Sequence, residues 1–329
     1  MENKIDIVVP WVDGNDEEWL REKEKYTVSE GEDDRVNRFR DWDNLQYLFR
    51  GIDKFLPWIR MVHFITWGHI PKWMDTNCDK LNIVLHKDYI PKEFLPVFSS
   101  HPIEMNIHRI KELSDQFIYM NDDMFFLKSM KETDFFQDSL PCDRALESIH
   151  QFKKDGIDHI IANDLEILNA NFDKKKCIRK NRNKFYTLKY GKGLLKNLYF
   201  SPFGNFTGFE NPHMPIPYLK EVLEEIWEKE PIVLERTSKN RFRSITDVNQ
   251  WLIRYWQFAS GRFVPLSHTN NQFFSIGKDD VLIEEAIKKQ KYNMICLSDD
   301  AIEMDFEKER DFIKKCLEEI LPQKSRFEK

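Results

Sequence analysis

The chain is short of several things, and each shortage removes a class of protein. Glycine occurs 11 times in 329 residues, and neither a GxGxxG nor a P-loop pattern is present. A dinucleotide oxidoreductase or a P-loop kinase is thereby disfavoured. The five cysteines (Cys78, Cys142, Cys177, Cys296 and Cys316) form no CxxC pair. Such scattered thiols suit a reducing compartment, not a disulfide framework or a zinc site. Positive charge is in deficit: formal net charge is −6, so the footprint of a general nucleic-acid binder is missing. No apolar run is long enough to span a bilayer. The opening MENKIDIVVPWVDG has no small-residue cleavage site of the signal-peptide kind. The expectation is a soluble, cytoplasmic protein that could still work at the inner face of a membrane.

Aromatic residues are plentiful. The 26 Phe and 9 Trp are enough for a large core and, beyond it, for lining a groove. The chain is long enough to bury such a core as one large domain or two intimate ones.

One stretch organises the rest: FIYMNDDMFF, Phe117–Phe126. Its first part is short, apolar and aromatic, as a buried strand of a parallel sheet is. It runs into Asn121, Asp122 and Asp123. Adjacent carboxylates at a strand end are costly to bury without a cation or donors, and ligands of open α/β sheets sit at that end. A divalent metal held against a phosphate fits this pattern; a polar turn between two apolar segments fits it too.

Ile5–Val9 is a first strand, followed by Trp11-Val12-Asp13-Gly14, residues suited to close approach of a ligand or, for Trp11, to the core. Asp16 is placed to cap a helix over 17–25. Ser29–Arg35 reads as an acidic loop. Apolar spacing predicts a helix within 38–54, with Arg38, Arg40, Asp41 and Asp43 at its start, a salt-bridged surface or a phosphate clamp. Met61–Thr66 and Leu81–Leu85 are further strands, with a short helix at Pro71–Met74. The rhythm is that of a Rossmann-like parallel sheet. A helix carrying Ile103, Ile107, Ile110 and Leu113 puts Glu104 and His108 on one face, as a solvent-side ion pair or a pair that orients a reacting group.

Beyond about residue 150 the composition turns polar. The basic run KKKCIRKNRNK (174–184) reads as a solvated face or flap, or as a surface for anionic lipid or a polyanionic acceptor. His213 stands between Pro212 and Pro215, which stiffen its backbone. Arg243 precedes an aromatic helix over 248–258, Asp299 and Asp300 form a second acidic pair, and 301–321 is an amphipathic terminal helix. The expected division is a core over 1–150, an insertion over 151–210, and the second half of the catalytic domain over 211–329.

Taken together, these segments resemble the Stealth family of sugar-phosphate transferases. The matching blocks are IDIVVPWVDGND (5–16); RFRDWDNLQYLFRGIDKFLPWIR (38–60) with FSSHPIEMNIHRI (98–110) and FIYMNDDMFF; NPHMP (211–215) with RFRSITDV (241–248); and ICLSDD (295–300). Two departures stand out: Asn44-Leu45-Gln46 where the family carries Glu-Leu-Arg, and Ser298-Asp299 where it carries Asn-Asp. The resemblance implies an α/β, Rossmann-like, glycosyltransferase A-type core with a partly helical insertion. It also implies transfer of a sugar 1-phosphate from a UDP-sugar to a saccharide or lipid-linked oligosaccharide hydroxyl, releasing UMP. Asp122, Asp123 and Asp299 would hold Mg²⁺ or Mn²⁺. Arg243 would stabilise phosphate charge, and Asp123, Glu104 and His213 are the candidates for general base. Trp11, Asp13, Gly14, Arg38, Asp43 and Arg50 would bind the donor. A glycosyltransferase releasing UDP and a non-catalytic polysaccharide scaffold are the rival readings.

Overall fold

The computed structural model describes residues 4–27, 40–152, 157–299 and 305–329. Arg38, Asp300 and the acidic stretch Ser29–Arg35 therefore lie outside the described residues.

Ile5–Pro10 (β1), Met61–Thr66 (β2), Leu81–Leu85 (β3) and Gln116–Tyr119 (β4) form the parallel part of a five-stranded sheet in the order β3-β2-β1-β4. Their side chains are mostly apolar and β1 and β4 are almost wholly buried, as in parallel strands covered on both faces. The edge strand Ile216–Leu219 pairs antiparallel with β4, Tyr119 opposite Ile216. All four parallel strands end on the same side, so the Trp11–Gly14 turn and the Asn121–Asp123 turn share one rim. This is the α/β, Rossmann-like arrangement expected from the sequence.

A second sheet sits against that rim. Met124–Phe126 (β5) runs antiparallel to Met294–Ser298, which pairs in parallel with Asn271–Ser275. Between β5 and the edge strand of the main sheet comes a largely helical stretch. It includes the helices Asp158–Asn171, Lys174–Lys180 and Leu194–Phe200.

Two local expectations fail for identifiable reasons. Pro71–Met74 is a turn whose last residue bridges Glu328 near the C-terminus, not a helix. The helix through residue 113 stops at Met105. Asn106 turns its side-chain amide back onto the Pro102 carbonyl (2.8 Å), and a 3-10 turn over Ile107–Arg109 follows. Side-chain bonding of this kind competes with the helix. Glu104 and His108 are therefore not a pair on one helical face.

Candidate active site

The register of the two sheets assembles the site. Because Tyr119 faces Ile216 in an antiparallel pair, the chain before Ile216 must pass the residues just after Tyr119. That carries His213 to the acidic turn: its Nε2 lies 3.2 Å from Asp123 Oδ2 and 3.4 Å from Asn121 Nδ2. Because Cys296 faces Met124, its thiol reaches the neighbouring Asp123, donating to Oδ2 at 3.3 Å. Ligand atoms of Asp123, His213 and Cys296 all lie within 4.8 Å of one another. Asp123 Oδ1 is buried without a hydrogen-bond partner, a costly state that a cation would relieve.

His213 is held from behind. Arg254, buried in the helix Trp251–Ser260, pairs bidentately with Asp143 (2.6 and 2.7 Å). Its remaining donor binds the Glu210 carbonyl at 2.5 Å and Asn211 Oδ1 at 3.2 Å. A buried arginine stays charged under these conditions, and a fork-on-fork pair fixes its direction. The segment entering Pro212-His213 is thereby pinned.

Two clefts open on either side of the acidic turn. The first, about 220 Å³, is lined by Trp11, Arg40, Ser99, Tyr119, Asp122 and Arg243, among others. Asp247 builds the loop that brings Arg243 there: its carboxylate accepts from Asn240 Nδ2 (2.6 Å) and the Ser244 amide (2.9 Å) and pairs with buried His101 (2.8 Å). Arg243 Nη2 reaches Ser100 Oγ at 3.5 Å. Arg40 pairs with Asp299 at 3.3 Å. Asp122 is crowded by protein yet open to the cleft. The protein packed around it first, then the adjacent Asp123, pushes its carboxyl up from the usual range. The second cleft, about 500 Å³, is lined by His213, Arg144, His150, His268, Asn271 and Phe273, among others.

The remaining residues singled out in the sequence take varied places. Trp11 is buried against Phe64 (5.6 Å between ring centres), with one side on the first cleft. Asp13 accepts from the Asn15 amide (2.9 Å) and its own amide donates to His69 (2.8 Å), with half-buried Gly14 next to it on the same rim. Three positions differ from expectation. Arg50 does not face a ligand: its guanidinium binds Glu328, Glu318 and the Leu321 carbonyl, tying down the C-terminal tail. Asp43 is exposed and pairs with Lys314. Glu104 is buried with both oxygens engaged, by Tyr119 Oη (3.1 Å) and the Gln250 amide (3.0 Å); it braces the site rather than meeting a substrate. Cys296, by contrast, joins the site unannounced. Its only sequence signal is its place just before the second acidic pair.

A carboxylate-bearing turn with an arginine-lined cleft on one side and a histidine-lined cleft on the other can serve transfer of a group between two substrates. Conserved regions 1, 2 and 3 of Stealth proteins match residues 3–27, 38–142 and 212–256. The chain is 42% identical over the whole of both chains to a capsular polysaccharide phosphotransferase, WcwK, of Streptococcus pneumoniae. It is 37% identical, again over the whole of both, to the receptor polysaccharide phosphotransferase WefC of Streptococcus gordonii. The galactosyltransferase LgtC, solved with donor and acceptor sugar analogues, overlays 94% of this chain and 95% of its own at 8% identity and a TM-score of 0.38. The chain belongs to the Stealth family, and it is an enzyme of the phosphotransferase kind.

Proposed function

We propose that the enzyme moves a hexose or N-acetylhexosamine 1-phosphate from a UDP-sugar to a sugar hydroxyl of a growing cell-surface polysaccharide, in the cytoplasm. The observation that carries this reading is one acidic turn placed between two clefts: Asp122 lines the first, His213 lines the second, and His213 contacts the neighbouring Asp123. A transferase that joins two substrates needs one cleft for each, with the reacting groups at the junction.

The first cleft suits the donor. Trp11 lines it and, with Asp13 and Gly14 next along the same rim, would meet the nucleotide, while Arg243 and Arg40 offer planar donors to the diphosphate. The second cleft suits a saccharide acceptor: hydroxyls find His150, His268 and Asn271, and exposed Phe273 gives a flat apolar face. The acceptor oxygen attacks the phosphorus bearing the sugar, its proton passes to His213 Nε2, and the bond to the bridging oxygen breaks. UMP leaves with that oxygen and the phosphodiester stays. Phosphoryl transfer of this kind needs positioning and charge neutralisation above all. Arg243 supplies the second on the donor side.

Carboxylate oxygens suit Mg²⁺ or Mn²⁺, whereas a thiol does not. Asp123, through its unpartnered Oδ1, and Asp122 would hold the cation together with donor phosphates; Cys296 then orients Asp123 by its hydrogen bond. When bound, the cation neutralises developing phosphate charge. Asp299 contributes through its pair with Arg40. The acceptor hydroxyl's sugar and the transferred hexose are set by contacts in the two clefts.

The test is the nucleotide released on incubation with UDP-N-acetylglucosamine, UDP-galactose and UDP-N-acetylgalactosamine, with Mg²⁺ or EDTA and an oligosaccharide acceptor pool. UMP that depends on acceptor and metal is the expected result. UDP would mean cleavage at the sugar carbon and end the phosphotransfer reading.

A further inference from the structure

The helical stretch carries a surface that the reaction does not use. From Lys174 to Phe209 there are ten Lys or Arg and no Asp or Glu. With a whole-chain formal charge of −6, the rest of the protein carries −16. Within this basic stretch large apolar side chains stand in water: Leu188 is 89% exposed, Tyr199 71%, Leu195 67%, Leu198 50% and Phe203 47%.

These are not the loose ends of a fraying segment. Leu195, Leu198 and Tyr199 share one face of the helix Leu194–Phe200, since residues three and four apart are neighbours. The opposite face is locked. Buried Asn197 donates to the Ala145 carbonyl (2.9 Å) and the Phe185 carbonyl (2.7 Å), and its oxygen accepts from the Glu147 amide (2.8 Å). Phe200 packs beside Tyr199 and Phe203, ring centres 5.1 and 5.8 Å apart. Folding thus fixes an outward row of leucine and aromatic side chains that nothing among the described residues covers.

Several of the surrounding cations are already committed: Lys174 to Glu147, Lys196 to Glu210, Lys184 and Lys189 to backbone carbonyls. Lys175, Lys176, Arg179, Lys180, Arg182 and Lys192 are exposed and form no ion pair among the described residues. We propose that this face docks on an anionic lipid bilayer, with Leu195, Leu198, Tyr199 and Phe203 at headgroup depth and the cations over the lipid phosphates. Exposed leucine and aromatic residues within a lysine-rich stretch are the composition of an interfacial surface, and nearby basic residues add attraction to an anionic leaflet. The remaining chain carries the −16, so this basic stretch is the part that an anionic leaflet attracts. Docking does not depend on the reaction proposed above. It does set the second cleft at the membrane, because Ala145 and Glu147, which hold the helix, adjoin Arg144 and Ser148 in the wall of that cleft.

Sedimentation of the full chain with vesicles tests this directly. Partition onto phosphatidylglycerol-containing vesicles, absence from pure phosphatidylcholine vesicles, and release by salt are expected. The exposed-face variant Leu195→Ser/Leu198→Ser/Tyr199→Ser should lose partition by about tenfold or more, with an unchanged circular dichroism spectrum. A charge variant, Lys176→Glu/Lys180→Glu/Lys192→Glu, tests the same surface without touching the apolar row and should lose a similar factor. Wild-type protein left in the supernatant, or variants that partition like wild type, would overturn the proposal. So would a wild-type dimer that the serine variant converts to monomer without any vesicle binding, which assigns the face to a second copy of the chain.

Discussion

On the β1 side of Asp123 the cleft wall is charged and braced at every point: Arg40 against Asp299, Arg243 beside Ser100, and Asp247 holding the Arg243 loop. On the far side the wall is wider, at about 500 Å³ against 220 Å³, and made of histidines, Asn271 and Phe273. The arginines of the first suit an anion, and on the proposed reading the second takes the larger saccharide. Asp122 lines the first and His213 the second, and the contact of His213 with Asp123 links them. The division assigns different kinetic signatures to substitutions on each side and a common one to the acidic turn between them.

The acidic turn comes first in expected size. Asp123→Asn keeps the shape but removes the charge, and should lower turnover by roughly a thousandfold while the thermal midpoint stays put; UMP release in a single-turnover assay reads it. Arg243→Ala on the anionic side and His213→Ala beside Asp123 should each cost roughly a hundredfold in turnover. Near-normal turnover in either removes that residue from the site. Phe273→Ala should separate the clefts most cleanly, raising KM for the acceptor about tenfold and leaving KM for the donor unchanged. An equal rise in both would mean that the clefts are not assigned to separate substrates.

The smallest effect concerns the floor of the first cleft. Burial pushes the His86 imidazole down to about 3, so the folded state holds it neutral while the unfolded chain takes up a proton near 6.5. Stability from this group is complete above that value and is lost as pH falls toward 3. At pH 5.5 the loss is about 1 kcal/mol. The melting temperature of His86→Asn should therefore fall less between pH 7 and 5.5 than that of the wild type.

The strands and the acidic turn were legible because local pattern decides them: an apolar run that ends in Asn121-Asp122-Asp123 leaves little else to build. Helix ends were legible where a cap was present, as at Asp16, which accepts from the Trp19 amide at 2.8 Å. Failures cluster where a distant segment decides. Arg50 reads as a ligand arginine until Glu328, 278 positions away, takes its guanidinium. Cys296 reads as an idle thiol until antiparallel pairing sets it beside Asp123, 173 positions away. Glu104 reads as an exposed carboxylate only while the helix is drawn past Asn106. Periodicity along a chain carries no information on which strand will be its neighbour, and in each case the neighbour settled the role.

The antiparallel pairing of β4 with Ile216–Leu219 has one more consequence. It brings Asn121 and His213 together at the end of a closed loop of chain whose two stems are hydrogen-bonded to each other. Asp122, Asp123 and Asp143 at one end of that loop and Asn211 at the other belong to the site, whereas the helix Leu194–Phe200 between them lines neither cleft. With the docking proposed for that helix, the chain would carry its membrane-facing part inside the same loop that builds its reaction centre.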